Sequence, residues 1–221
     1  MHDEGMPGIT VSAGYGAGGS TIAPRLAQEL QWHFVDRAIT STVADRLHLT
    51  EEEVQSGGAS RWNRFLAGLA ALAPTTSEDP PTTWDDIQIR DAMTAELRRA
   101  VRTGGAVILG RAGACALRDE PDVLRVRLYG PREARIAQAA VLEKVDEATA
   151  RERVDSVDRA RNAYVRRLYG RRADDPDLYH LQLDSTALTV DTCVQLVLSA
   201  WSSFSSAAAR QASGASPGRE A

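Results

Sequence analysis

Lysine is almost missing from this chain: Lys144 is the only one, and arginine supplies every other basic side chain besides histidine. Any cationic contact to a phosphate must therefore come from guanidinium groups, which suit bidentate phosphate binding. Cysteine is scarce too. Cys115 and Cys193 stand far apart, fit no metal spacing and read as small core side chains. No apolar run approaches the roughly 18 residues that a membrane-spanning helix needs. Residues 1–7 show neither the cationic start nor the apolar stretch of a secretory signal. The expectation is a protein of the reducing cytoplasm. An excess of positive charge is lacking as well, since the net charge is −4. Nothing in that balance favours nucleic acid or an anionic membrane as a partner. The hydrophobic fraction of 43% and charged fraction of 25% are those of an ordinary globular chain, and 221 residues suffice for one well-buried domain.

What is present in abundance is glycine, at one place. The stretch Val11-Ser12-Ala13-Gly14-Tyr15-Gly16-Ala17-Gly18-Gly19-Ser20-Thr21-Ile22-Ala23 carries four glycines within six residues. An ordinary tight turn needs fewer, so the loop reads as one whose backbone approaches an anion closely. Two chemistries fit it. Gly14, Gly16 and Gly19 match the G-x-G-x-x-G of dinucleotide-binding folds, and Asp36 would then meet a ribose. Gly18-Gly19-Ser20-Thr21 instead reads as the end of a kinase phosphate loop in which Gly19 stands where lysine is usual.

The rest of the chain alternates strands with helices. Strands are predicted over 8–13, 33–35, 106–109, 123–129 and 181–184. Helices are predicted over 20–30, 37–47, 84–102, 132–143, 147–168 and 190–203, with one more beginning near Thr50. The fold class is therefore α/β: a five-stranded parallel sheet between two helical layers. Residues 57–83, rich in Pro, Thr and Asp toward their end, read as an insert. After residue 204 the Ser/Ala/Gly-rich composition reads as a disordered tail.

Five motifs, in order, give the chain a resemblance to the cytidylate kinase-like family of the P-loop nucleoside monophosphate kinases, over about residues 8–200. They are Tyr15-Gly16-Ala17-Gly18-Gly19 with its helix start, Phe34-Val35-Asp36-Arg37, and Val107-Ile108-Leu109-Gly110-Arg111. The fourth is Asp158-Arg159-Ala160-Arg161-Asn162-Ala163-Tyr164, leading to Asp175-Pro176; the last is Leu183-Asp184-Ser185-Thr186-Ala187-Leu188-Thr189. The resemblance implies a P-loop kinase domain over 1–204, with a lid at about 155–178, and ATP with Mg²⁺ as cofactors. It implies phosphoryl transfer to a small nucleotide such as CMP. Gly14, Gly16, Gly18, Gly19, Ser20 and Thr21 would hold the donor phosphates, with Ser20 on Mg²⁺. Asp36 and Arg37 would seat the acceptor. Arg111, Arg159 and Arg161 would neutralise the transferring group, because phosphoryl transfer needs charge around the equatorial oxygens rather than a protein nucleophile. The chain departs from cytidylate kinases at Ala160 and Ala163, where those enzymes carry an acid and a further arginine.

Plainer roles exist for several of these residues. Asp36 can cap a helix. The arginines between 159 and 172 can pair with Glu147, Glu152, Asp155 and Asp158 on a solvated helix face. Asp184-Ser185-Thr186 reads as structural support after the last strand. A catalytically weak, nucleotide-binding regulator is the alternative that the missing lysine favours.

Overall fold

A computed structural model of the chain describes residues 7–36 and 84–214. The two helices expected between 37 and the fifties, the insert at 57–83 and Arg37 lie outside the described residues. Five strands form at the expected bounds: β1 (Gly8–Ala13), β2 (His33–Val35), β3 (Ala106–Leu109), β4 (Val123–Tyr129) and β5 (Leu181–Asp184). The helices are α1 (Gly19–Leu30), α2 (Trp84–Arg102), α3 (Gly113–Ala116), α4 (Arg132–Glu143), α5 (Glu147–Tyr169) and α6 (Val190–Gly214). The single turn α3 and a 3₁₀ turn at Pro176–Leu178 are too short to show a period in sequence.

All strand pairs are parallel, in the order β2-β3-β1-β4-β5. That order decides between the two readings of the glycine loop. A dinucleotide-binding sheet sets its second strand directly beside the first. Here β3 lies between them, so the dinucleotide reading falls.

The two faces of the sheet are built differently. Side chains alternate along a strand, and Ile9, Val11, Leu124, Val126 and Leu128 turn to one face, against Ile22 and Leu26 of α1 and Val194 and Val197 of α6. Each fully buried side chain of this size stabilises the fold by roughly 1.5–3 kcal/mol. The opposite face takes Thr10, Ser12, Arg125 and Arg127. Its apolar part, Leu97, Val101, Ile108, Leu117 and Val123, lies toward the N-terminal ends of the strands, beneath α2. Nearer the C-terminal ends, Met93 packs with Tyr164, Val165 and Leu168 of α5.

One boundary differs from expectation. The last helix runs on to Gly214, ten residues into the stretch expected to be a loose tail. Trp201 and Phe204 anchor it, Trp201 meeting Trp32 edge-on at 4.9 Å. Beyond that anchor the Ser206 hydroxyl donates to the Ser202 carbonyl at 2.7 Å. Alanine, the best helix former, carries the helix onward. Composition alone read the same Ser and Ala as solvating.

Candidate functional site

All five strands end at one edge, and the residues that follow them form the site, as parallel sheets arrange it. The first is the glycine loop. Gly16 (φ +78°) and Gly18 (φ +69°) adopt left-handed backbone, and Gly18 is the N-cap of α1 without any side-chain cap. The first turn of α1 contains no acidic residue, so the positive end of the helix dipole is not cancelled locally. Gly14 and Gly19 are buried, Thr21 is half-buried and Ser20 is exposed. Gly16 is glycine for a second reason: a Cβ there would lie 2.2 Å from the Arg135 carbonyl oxygen. A Cβ on Gly18 would come within 3.1 Å of the Gln138 amide nitrogen.

The helical hairpin α4–α5 clasps this loop. Asp158 of α5 accepts the Tyr15 backbone N–H at 2.8 Å and the Arg135 guanidinium at 2.6 Å. Arg135 also donates to the Tyr15 carbonyl at 2.9 Å and the Gly130 carbonyl at 3.1 Å. The Tyr15 ring packs among Ile136, Ala139, Ala150 and Val154, and its hydroxyl donates to Glu143. Burial, followed by the Glu143 bond, pushes the Tyr15 phenol up to about 12. From the other side the Ser185 hydroxyl donates to the Ala17 carbonyl at 2.8 Å, so the segment after β5 does support the loop.

Beside the loop, under α5, lies a cavity with about 510 Å³ of empty space counting its open mouth. Arg111, Arg127 and Arg161 line it, together with Ser12, Tyr164 and Tyr179, and among the described residues its lining contains no carboxylate. Arg111 is 2% exposed and donates from both terminal nitrogens to the Glu96 carboxylate, each at 3.1 Å. It reaches that partner because Gly110, Arg111 and Ala112 are left-handed in succession (φ +72°, +55° and +50°). For a non-glycine residue such backbone costs roughly 1–3 kcal/mol. Among the described residues the buried Arg111 Nε has no hydrogen-bond acceptor. Cys115 also lines the cavity, and burial pushes its thiol up to about 11 against the charges of Arg171 and Arg118.

Arg111 and Arg161 thus share one cavity, while Arg159 is exposed and does not line it. Arg161 is no surface arginine. Its side chain is 15% exposed and donates to the Ala13 carbonyl at 2.8 Å, and Asp158 lies 3.9 Å away. Asp36 is exposed just past β2. Sequence reasoning missed Arg135 and Arg127 as site residues, and saw Asp158 only as a helix-surface partner. For Arg127 a signal existed, since the alternation Leu-Arg-Val-Arg-Leu in β4 sends two arginines to one face. For Arg135 nothing local separates it from Arg132, which pairs with Asp155 and Glu133 in solvent.

The family model described as the cytidylate kinase-like family matches residues 8–187, most of the chain. The protein belongs to that family. Its fold is similar to that of an uncharacterised protein from Eubacterium ventriosum, with a TM-score of 0.62, 18% identity, and coverage of 89% of this chain and 99% of that one. It is also similar to a gluconokinase from Sinorhizobium meliloti, with a TM-score of 0.52, 14% identity, and coverage of 94% and 99%. No curated protein sequence matches. The architecture is that of the P-loop kinases: a five-stranded parallel sheet flanked by helices. Among the described residues no helix is long and apolar enough to cross a membrane, and no cluster of three or more His, Cys, Asp or Glu could hold a metal.

Proposed function

We propose that this family member transfers a phosphoryl group from ATP to a small acceptor, with a nucleoside monophosphate such as CMP as the leading candidate. The observation carrying the reading is the juxtaposition of an acid-free helix N-terminus, preceded by left-handed glycines, with an arginine-lined cavity at the same sheet edge. The first accommodates the phosphates of the donor, the second an anionic acceptor.

The residues present fit the donor. Thr21 and Ile22 donate to the Gly18 carbonyl at 3.0 and 2.9 Å, but the Gly19 and Ser20 N–H groups ahead of them lack intrahelical acceptors by geometry, and Gly18 has no side chain to satisfy them. The exposed Ser20 hydroxyl would be one oxygen ligand for Mg²⁺, an ion that takes most of its other ligands from phosphate and water. Bound ATP–Mg²⁺ supplies the transferable phosphoryl group and screens its charge. The chain's own part is positioning and electrostatics. Arg135 and Arg161 flank the start of the glycine loop, each tied to its backbone. In a loop without lysine they are the guanidinium groups bonded directly to the backbone at its start. Their hydrogen bonds fix the guanidinium planes before any ligand arrives, so little reorganisation remains to be done during transfer. Glu96 holds Arg111 below the cavity in the same fashion. The helix α5 roofs the cavity with Arg161, Tyr164 and Val165, and this cover serves to keep water from taking the phosphoryl group.

The second reading is a nucleotide-binding regulator with little turnover. Gly19 in place of lysine favours it. Measuring ATP consumption against a panel of nucleoside monophosphates separates the two. Turnover with one monophosphate supports the kinase; tight ATP binding without turnover on any acceptor supports the regulator.

A further inference from the structure

The three arginines of the cavity are not equivalent. Both terminal nitrogens of Arg111 are engaged by Glu96. Arg161 is tied to the Ala13 carbonyl and lies near Asp158. Arg127 is different: among the described residues no carboxylate oxygen lies within 4.0 Å of its guanidinium. Asp174 feels its charge from farther away, and Arg172 is that acid's hydrogen-bonded partner at 2.8 and 2.9 Å.

Arg127 is also firmly placed. It stands on β4 opposite Ser12 of β1, one register step from the sheet edge. Its guanidinium carbon lies 5.9 Å from the centre of the Tyr179 ring. That ring is in turn fixed by its hydroxyl, which donates to the Ala173 carbonyl at 2.6 Å. A half-buried cation over a braced ring, beside a serine hydroxyl and without a counter-ion, is expensive unless something anionic completes it.

We propose that Arg127 is a specificity-determining residue that binds the phosphate of a phosphomonoester acceptor, with the Ser12 hydroxyl as a further donor. This rests on the phosphoryl-transfer reading for the word acceptor, but the binding itself does not. Arginine is suited to the role because its planar fork meets two phosphate oxygens at once. The consequence is selection by charge: a neutral nucleoside or polyol leaves the cation uncompensated and is rejected.

The test is equilibrium binding to the full chain, without ATP, using inorganic phosphate, CMP and cytidine as probes. The variants are Arg127→Met, which keeps the stem against Tyr179, and Arg127→Lys, which keeps the charge. Wild type should bind CMP and inorganic phosphate, and cytidine far more weakly. Arg127→Met should weaken CMP and phosphate binding ten- to a hundredfold, as expected for loss of a charged hydrogen-bonding group, and leave cytidine binding unchanged. Arg127→Lys should recover part of the loss. Equal CMP affinity in wild type and Arg127→Met would overturn the proposal, as would failure of wild type to bind CMP or phosphate at millimolar concentration. A parallel loss of CMP and cytidine binding in Arg127→Met would reduce Arg127 to a prop for Tyr179. Phosphate binding through Arg127 in a chain that consumes no ATP would sink the kinase reading alone.

Discussion

One face of the sheet is a closed apolar layer and the other a polar one whose described arginines are each held in a distinct way. Between β1, β4, α1 and α6, the packed residues are Ile, Val, Leu and Ala, together with Cys193. Under α5 the same two strands present Ser12, Arg125 and Arg127 instead. There three of the arginines are held by specific partners: Arg125 donates to the Leu178 carbonyl at 2.9 Å and the Arg118 carbonyl at 3.0 Å, Arg161 to Ala13, and Arg111 to Glu96, while Arg127 stands over the Tyr179 ring. The first face makes the protein stable. The second aims guanidinium groups at a shared cavity, at a cost in backbone strain around Arg111 and in buried charge. Stability and chemistry are thus divided between the faces, and the division can be tested from either side.

The largest effect expected is on the apolar side. Leu26 is fully buried in α1. Leu26→Ala should lower unfolding free energy by about 2–5 kcal/mol, the range for such cavities. ATP affinity of the folded fraction should stay within twofold. Urea denaturation and calorimetric titration measure the two. A tenfold loss of affinity would show that the faces are coupled through α1, whose N-terminus belongs to the site.

On the polar side, Arg161→Ala should lower turnover roughly 10²–10³-fold, the scale for removing one preorganised transition-state donor. Unlike a surface change, it should also cost stability of about 1–3 kcal/mol, because the buried Ala13 carbonyl loses its charged partner. Activity lost without any loss of stability would mean that the Ala13 bond contributes nothing to holding α5 over the loop. Wild-type turnover would remove Arg161 from the site.

Gly18→Val probes the boundary between the faces. Its left-handed backbone disfavours a branched residue by roughly 1–2 kcal/mol, and the new methyls would sit near Gln138 where phosphate approaches. The fold should persist with ATP binding weakened at least tenfold. Unchanged ATP affinity in a titration would show that the phosphates do not lie against this loop.

The apolar face was legible in sequence because its signals are local. Alternation and short apolar runs gave all five strands, and glycines, prolines and caps gave most helix ends. The glycine loop was legible for the same reason: its unusual backbone demands a composition that stands out. Arg111 was legible from its position after β3. The Glu96 partner was not, because a carboxylate fifteen residues away on an amphipathic helix looks like any solvated glutamate. Arg135 and Asp158 share that obstacle. Their meaning comes from the α4–α5 hairpin folding back over Tyr15, a contact spanning 143 residues for Asp158. Arg159 shows the converse difficulty. A motif marks two arginines two positions apart, and helical geometry sends one to the cavity and the other to solvent.

The smallest expected effect sharpens the comparison through pH. Cys115 of the polar face has its thiol raised from 9.0 to about 11, chiefly by burial, and Tyr15 has its phenol raised from 10.0 to about 12. Both groups are neutral when protonated, so the fold favours the protonated form of each. Their contribution is complete below the unfolded values and is lost as pH rises through the folded ones. Stability should therefore be flat from pH 7 to just below 9 as far as these groups are concerned. It should decline between 9 and 11 as the unfolded chain releases the Cys115 proton that the folded chain retains. Between 10 and 12 the Tyr15 contribution is lost in the same way. Cys115→Ala should remove the first part of the decline and delay its onset toward pH 10. Urea midpoints measured at half-unit intervals from pH 7 to 11 give the comparison directly. Parallel curves for the two proteins would show that the thiol is solvated, and that the cavity beneath α5 is more open to water than its lining implies.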